Sequence, residues 1–170
     1  KLAHRSPAGN KKGHDHYRTG LKELKTIDAK KLSGMDLVNY ETFRGPWEDY
    51  VKAYDTFSYG LHSWPEPHPV TQLSGTYRSI PDFLVNQHSI ANAADAEAYL
   101  SRCADFAVQL DNETGRNKAD HAAGIIPPDF VIDRTLTLFE SIMAPAADAN
   151  ILTTNLKTKT GAIPGDWAKR

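Results

Sequence analysis

The stretch Asn92-Ala-Ala-Asp-Ala-Glu-Ala-Tyr-Leu-Ser-Arg-Cys-Ala-Asp-Phe-Ala-Val-Gln-Leu110 decides the fold class. Ala96, Tyr99, Leu100, Cys103, Phe106, Ala107 and Leu110 recur every three or four residues, the period of one face of an α-helix. Asn92, with Asp95 three residues on, supplies the side-chain acceptors that a helix start requires. The polar face continues through Asp111-Asn-Glu-Thr-Gly-Arg116 to about Ala123, where Gly124 is a natural C-cap and Pro127-Pro128 a hard stop.

The same period organises the chain on both sides. Leu37, Tyr40, Phe43, Trp47, Tyr50, Tyr54 and Phe57 give the stretch from about Gly34 to Phe57 one aromatic face and one charged face. Gly45-Pro46 interrupts it without shifting the apolar phase, which predicts one helix kinked at Pro46 rather than two helices. The aromatic face suits core packing first, and a ligand cavity or interface second. C-terminal to the central stretch, Pro128 suits position N1 of a further helix. Its Val131, Ile132, Leu136, Leu138, Phe139, Ile142 and Met143 predict a broad buried face, ended by Ala144-Pro145. Residues 149–159 form a short amphipathic piece, and Leu21, Leu24 and Ile27 another after Tyr17. Residues 1–16, with Pro7, Gly9 and Gly13, read as an extended or frayed lead-in.

Between Ser58 and Asn92 the periodicity disappears, and Pro65, Pro67, Pro69 and Pro81 mark a long irregular connection. Trp64, Val70, Leu73, Tyr77, Phe83 and Leu84 make it too apolar for a free linker, so it should pack against the helices. Pro81-Asp-Phe-Leu-Val-Asn86 reads as a single helical turn with Pro at N1. The expected fold is therefore all-α: an irregular helical array with one long Pro-rich loop, forming part of a larger helical domain.

Composition narrows the function classes. The chain has 170 residues, 40% hydrophobic and 24% charged, with 20 Lys plus Arg against 21 Asp plus Glu, as expected of a soluble globular protein. No apolar run approaches the ~20 residues of a membrane helix. Residues 1–31 hold nine basic against three acidic residues, but Tyr17 is their only aromatic, which argues against a nucleic-acid arm. Cys103 alone excludes an internal disulfide framework, and its place on the apolar stripe makes it a core residue rather than a nucleophile. Asp129 and Asp133 are better read as charges complementing a helix N-terminus than as an acid–base pair. Asn112-Glu-Thr matches a glycosylation acceptor but falls within a predicted helix and is set aside.

Candidate ligands are sparse. His14-Asp15-His16 is the densest cluster, but neighbours at i,i+1 and i,i+2 do not share a helical face, and the lead-in offers no rigid frame. His62, His68, His88 and His121 are single and are expected at the surface or hydrogen-bonded. No catalytic and no metal-binding residue is assigned. Gln72, Tyr77 and Arg78, beside Gly75, bring polar tips together where a backbone can approach closely, and they are the candidate substrate contacts.

Five segments in order carry a resemblance: Leu32-Ser-Gly-Met-Asp-Leu-Val-Asn-Tyr-Glu-Thr-Phe43, Pro69-Val-Thr-Gln-Leu-Ser-Gly75, Ile80-Pro-Asp-Phe-Leu84, Asp95-Ala-Glu-Ala-Tyr-Leu-Ser-Arg102 and Gly124-Ile-Ile-Pro-Pro-Asp-Phe-Val-Ile-Asp-Arg-Thr-Leu136. From about Tyr17 to its end the chain resembles the bacterial domain-of-unknown-function family 885. Its members are mostly long, helical, and often exported or lipid-anchored proteins that look like zinc metallopeptidases of the carboxypeptidase Taq type. The family's presumed metal motif, His-Glu-x-Gly-His, does not occur here. The resemblance thus implies that residues 17–170 are the N-terminal helical portion of a larger hydrolase-like domain, non-catalytic alone. Zinc is expected in the parent protein, the rest of that chain as partner, a peptide-like substrate, and an exported or periplasmic location. The alternative is a self-contained helical binding module that uses the 58–92 loop. Neither nucleic acid nor a membrane segment enters either reading.

Overall fold

The computed structural model describes residues 2, 5–60 and 66–167. His62, Trp64 and Pro65, cited above, lie outside the described residues. Among those described there are six α-helices and no strand, so the all-α expectation holds: α1 (Pro7–Leu24), α2 (Gly34–Thr56), α3 (Thr76–Asp82), α4 (Ala93–Ala122), α5 (Asp129–Met143) and α6 (Ile151–Thr160). No described helix is long and apolar enough to cross a membrane.

α4 is built as its sequence dictates. Asn92 Oδ1 accepts the Asp95 N–H at 3.1 Å, and Asp95 Oδ2 accepts the Ala91 N–H at 3.0 Å, a reciprocal cap. At the other end Gly124 takes a positive φ, and the Ile125 N–H bonds the Asp120 carbonyl at 2.9 Å before the two prolines stop the helix. α2 runs unbroken through Pro46, as its apolar phase requires.

Three expectations fail. Residues 7–16 are not an extended lead-in but the first half of α1, with Pro7 at N1 and Ser6 Oγ capping the Gly9 N–H at 3.1 Å. The stretch is too polar and Gly-rich to hold a helix alone, and packing on α2 supplies what propensity lacks. Secondly, Pro81 does not open a turn. It lies inside α3, which starts at Thr76 and passes into a single π-helical turn, Phe83–Gln87. Thirdly, α5 lacks a broad buried face. Thr135 is its one buried residue, while Leu136 and Met143 are 54% and 70% exposed.

Two packing regions result. In the first, Ile80, Leu84, Tyr99 and Leu156 form a buried cluster where α3, its π turn, α4 and α6 meet, with Phe83, Ile90, Leu100, Cys103, Phe106 and Leu152 packed around it. The half-buried Cys103 thiol is pushed up by burial, in keeping with a packing role. In the second, α1 and α2 pair through rings: Tyr17 lies 4.2 Å from Tyr50 and 5.7 Å from Trp47 between centroids, and His14 stacks on Tyr54 at 3.8 Å. His14 is therefore a buried, stacked residue on a rigid helix, not part of a loose cluster.

Candidate functional site

Extending the α4 stripe past Leu110 at helical spacing leads to Glu113, Asn117 and Asp120. Glu113 is 2% exposed, Gln109 is 0%, and Asp120 is also buried. A polar side chain in an apolar phase needs partners. Glu113 finds them in three directions. Its carboxylate accepts the Thr76 N–H at 2.9 Å, the Thr76 hydroxyl at 2.6 Å and the Arg5 guanidinium at 2.8 Å.

This explains why α3 starts where it does. Gly75 has no capping side chain and a φ of 125°, where a Cβ would come within 2.9 Å of the Tyr77 ring. The cap comes instead from α4, with the Glu113 negative charge at the positive end of α3. The other end mirrors it. Lys159 Nζ, from α6, donates to the carbonyls of His88, Val85 and Leu84 at 2.7, 2.8 and 3.2 Å. One short helical segment is thus held between an anion and a cation borne by two other helices.

Beside it, Arg102 donates to His88 Nδ1 at 2.6 Å, while Nε2 lies 3.1 Å from the Asp95 carbonyl. Arginine can only donate and a carbonyl can only accept, so His88 is neutral with its proton on Nε2. Its pKa is accordingly lowered, first by burial, with Arg102 and Lys159 adding to the effect against the Asp95 carbonyl bond.

The α4 polar row also straps the chain's first residues. Asp105 Oδ2 accepts the Leu2 N–H at 3.3 Å, Gln109 Oε1 the Arg5 N–H at 2.8 Å, and Glu113 the Arg5 side chain, at successive helical turns. Farther along, Asp120 accepts the Gly60 N–H at 3.0 Å and pairs with Arg116, which also reaches the Ser58 carbonyl. Glu66, half-buried near Arg5 and Glu113, has its carboxyl pushed up chiefly by burial, an effect Arg5 opposes.

Two concave surfaces adjoin this row. A depression of about 530 Å³ is lined by Arg5, Glu66, Leu73, Tyr77, Arg78 and Ile142, among others. Cavities of about 600 and 300 Å³ share Val70, Asn117, His121 and Phe139 and so form one groove between α4 and α5.

The three loop residues are placed differently from one another. Tyr77 is 2% exposed; its hydroxyl donates to the Thr71 carbonyl at 2.7 Å and its ring stacks on Phe139 at 4.4 Å, so it shapes the loop from within. Gln72 accepts Arg78 Nη1 on its backbone carbonyl at 3.0 Å, and its side-chain Oε1 is buried without a partner among the described residues. Arg78 is exposed at the rim of the 530 Å³ depression. Sequence reasoning missed Arg5, Gln109, Glu113 and Asp120. For Glu113 and Asp120 the signal was there: they fall where the α4 apolar stripe, carried on past Leu110, would put residues inside.

Among the described residues no group of three or more His, Cys, Asp or Glu is placed to hold a metal ion. The described residues therefore do not by themselves fit a zinc centre, and no step through zinc is assigned to them. A family model described as a bacterial protein of unknown function, DUF885, matches residues 1–170. The chain belongs to that family. The match includes the first sixteen residues, which the five sequence segments did not reach. No curated protein and no solved structure matches the chain.

Proposed function

We propose that this DUF885 chain is the N-terminal helical portion of a zinc-dependent, peptidase-like hydrolase, non-catalytic by itself, with the zinc ligands supplied by the remainder of the parent chain. The observation that carries the reading is apolar surface left in water on two helices. On α2, Met35 is 68% exposed, with Val38 and Phe43 about half exposed; on α5, Phe130 and Met143 are largely exposed. Side chains of this size grouped along helices mark surfaces that pack on something else. The helices of the parent domain are the proposed cover. Arg78 and Leu73, at the rim of the 530 Å³ depression, are the proposed peptide-facing contacts. Gln72 and Tyr77 hold that rim in shape from behind.

The test measures three properties of residues 1–170. They should bind an environment-sensitive dye under native conditions, retain no zinc after dialysis, and cleave no peptide, and co-expression with the rest of the parent chain should suppress dye binding. Stoichiometric zinc with peptide cleavage by this chain alone would overturn the reading.

A second reading, a self-contained binding module, is favoured by the anchoring of the loop. Thr71 and Ser74 close a turn on each other at 2.9 Å and Leu73 projects from it 80% exposed, a preformed recognition tip. A cooperative melt from a dye-silent monomer would select it.

A further inference from the structure

The groove between α4 and α5 divides into two compartments of different chemistry. Its inner part, about 300 Å³, is walled by Ile125, Ile126, Val131, Ile132, Leu136 and Phe139. The adjoining 600 Å³ part carries Asn117, Lys118 and His121 on α4, and His68 stands on the loop side of the inner part. An apolar pocket of this size with a few polar groups at one end suits a small organic ligand.

Charge bookkeeping identifies the ligand's polar end. Among the described residues two carboxylates line the groove, and both are spent: Glu113 on Thr76 and Arg5, Asp120 on Gly60 and Arg116. The Lys118 ammonium and the His68 and His121 imidazoles have no side-chain hydrogen bond or ion pair among the described residues. Lys118 and His121 are three residues apart on α4, so they share a face and point at the same mouth. The groove therefore offers an apolar body site next to donors and uncommitted positive charge, with no uncommitted carboxylate among its described lining residues.

From this we infer that the α4–α5 groove binds an organic monocarboxylate with an extended apolar body, its carboxylate at Lys118, Asn117 and His121 and its apolar part against Leu136 and Phe139. The inference concerns binding alone and stands apart from the hydrolase reading, since neither zinc nor catalysis enters it. Two sources share this chemistry: a free aliphatic acid and the C-terminal residue of a peptide.

Calorimetric titration of the purified protein with decanoate, with decanol, and with an N-acetylated dipeptide ending in Phe separates them. At least one carboxylate should bind, and decanol should bind at least tenfold more weakly than decanoate. Lys118→Met, which keeps the stem and removes the charge, should weaken carboxylate binding about tenfold. Leu136→Asp, an exposed position whose change should leave the melting temperature nearly unmoved, should abolish it by placing a like charge in the wall. Binding of decanoate only assigns the free acid; binding of the dipeptide only assigns the chain terminus. Equal affinity for decanol and decanoate, an unchanged affinity in Lys118→Met, or no binding of either carboxylate would overturn the assignment.

Discussion

The α1–α2 pair and the α3–α4–α6 core hold together by different means. α1 and α2 are neighbours in sequence and meet through rings and an exposed Arg18–Asp55 ion pair at 2.6 Å; no residue of α2 is buried. In the core, distant segments meet, and the contacts that join them are charged and buried or partly buried: Glu113 lies 37 residues from Thr76, and Lys159 lies 71 from His88. Aromatic packing between adjacent helices needs little chain closure and tolerates solvent. Joining remote segments costs more loop entropy, and here each junction carries a charge-assisted bond that strengthens in a dry setting. The lesson is that the core's specificity resides in a few buried polar residues, whereas that of the α1–α2 pair is spread over many apolar contacts.

The widest gap between the regions should come from Glu113→Ala. It leaves the Arg5 guanidinium and the Thr76 N–H and hydroxyl without their acceptor, which should lower stability by about 3–5 kcal/mol in denaturant melts. Lys159→Met removes one cation from three carbonyls and should cost about 1–3 kcal/mol. A loss below about 0.5 kcal/mol in either would erase the contrast.

The pH dependence should also divide along this line. His88 has a folded-state pKa below its unfolded value of 6.5, so the unfolded chain binds the proton more readily. The contribution to stability is fully present above 6.5 and is lost as pH falls from there through the lower folded-state value. Melts between pH 7.5 and 5 should show the core weakening over that window, with a shallower slope in His88→Asn. At the small end, Arg18→Ala breaks a half-exposed pair on the α1–α2 side and should change stability by no more than about 0.5 kcal/mol.

Local signals were legible where the chain satisfies its own helix ends. The Asn92–Asp95 cap, the Gly124 stop, and the phase that carries α2 through Pro46 all lie within a few residues of what they control. α1 was hidden because its Ser6-Pro7 start precedes a Gly- and Lys-rich stretch whose helicity depends on α2. α3 was misplaced at Pro81 because its cap is a carboxylate 37 residues away, and no local pattern reveals that. Of the site, only the loop was anticipated. Tyr77 faces inward, and Glu113 and Asp120, which fall in the stretch whose polarity predicts an outer face of α4, are buried. The α5 apolar pattern predicts a buried face, yet the described residues leave much of it exposed.

Native-state hydrogen exchange tests the central claim, that Glu113 on α4 fixes the start of α3 and with it the core. In the wild type the Thr76 amide and those of α4 should exchange together near the global unfolding free energy, with α2 amides exchanging at lower protection. Glu113→Gln should speed exchange at Thr76 and through α3 while leaving α2 unchanged. Equal protection of α2 and α4 in the wild type, or a Thr76 amide indifferent to Glu113→Gln, would contradict the account.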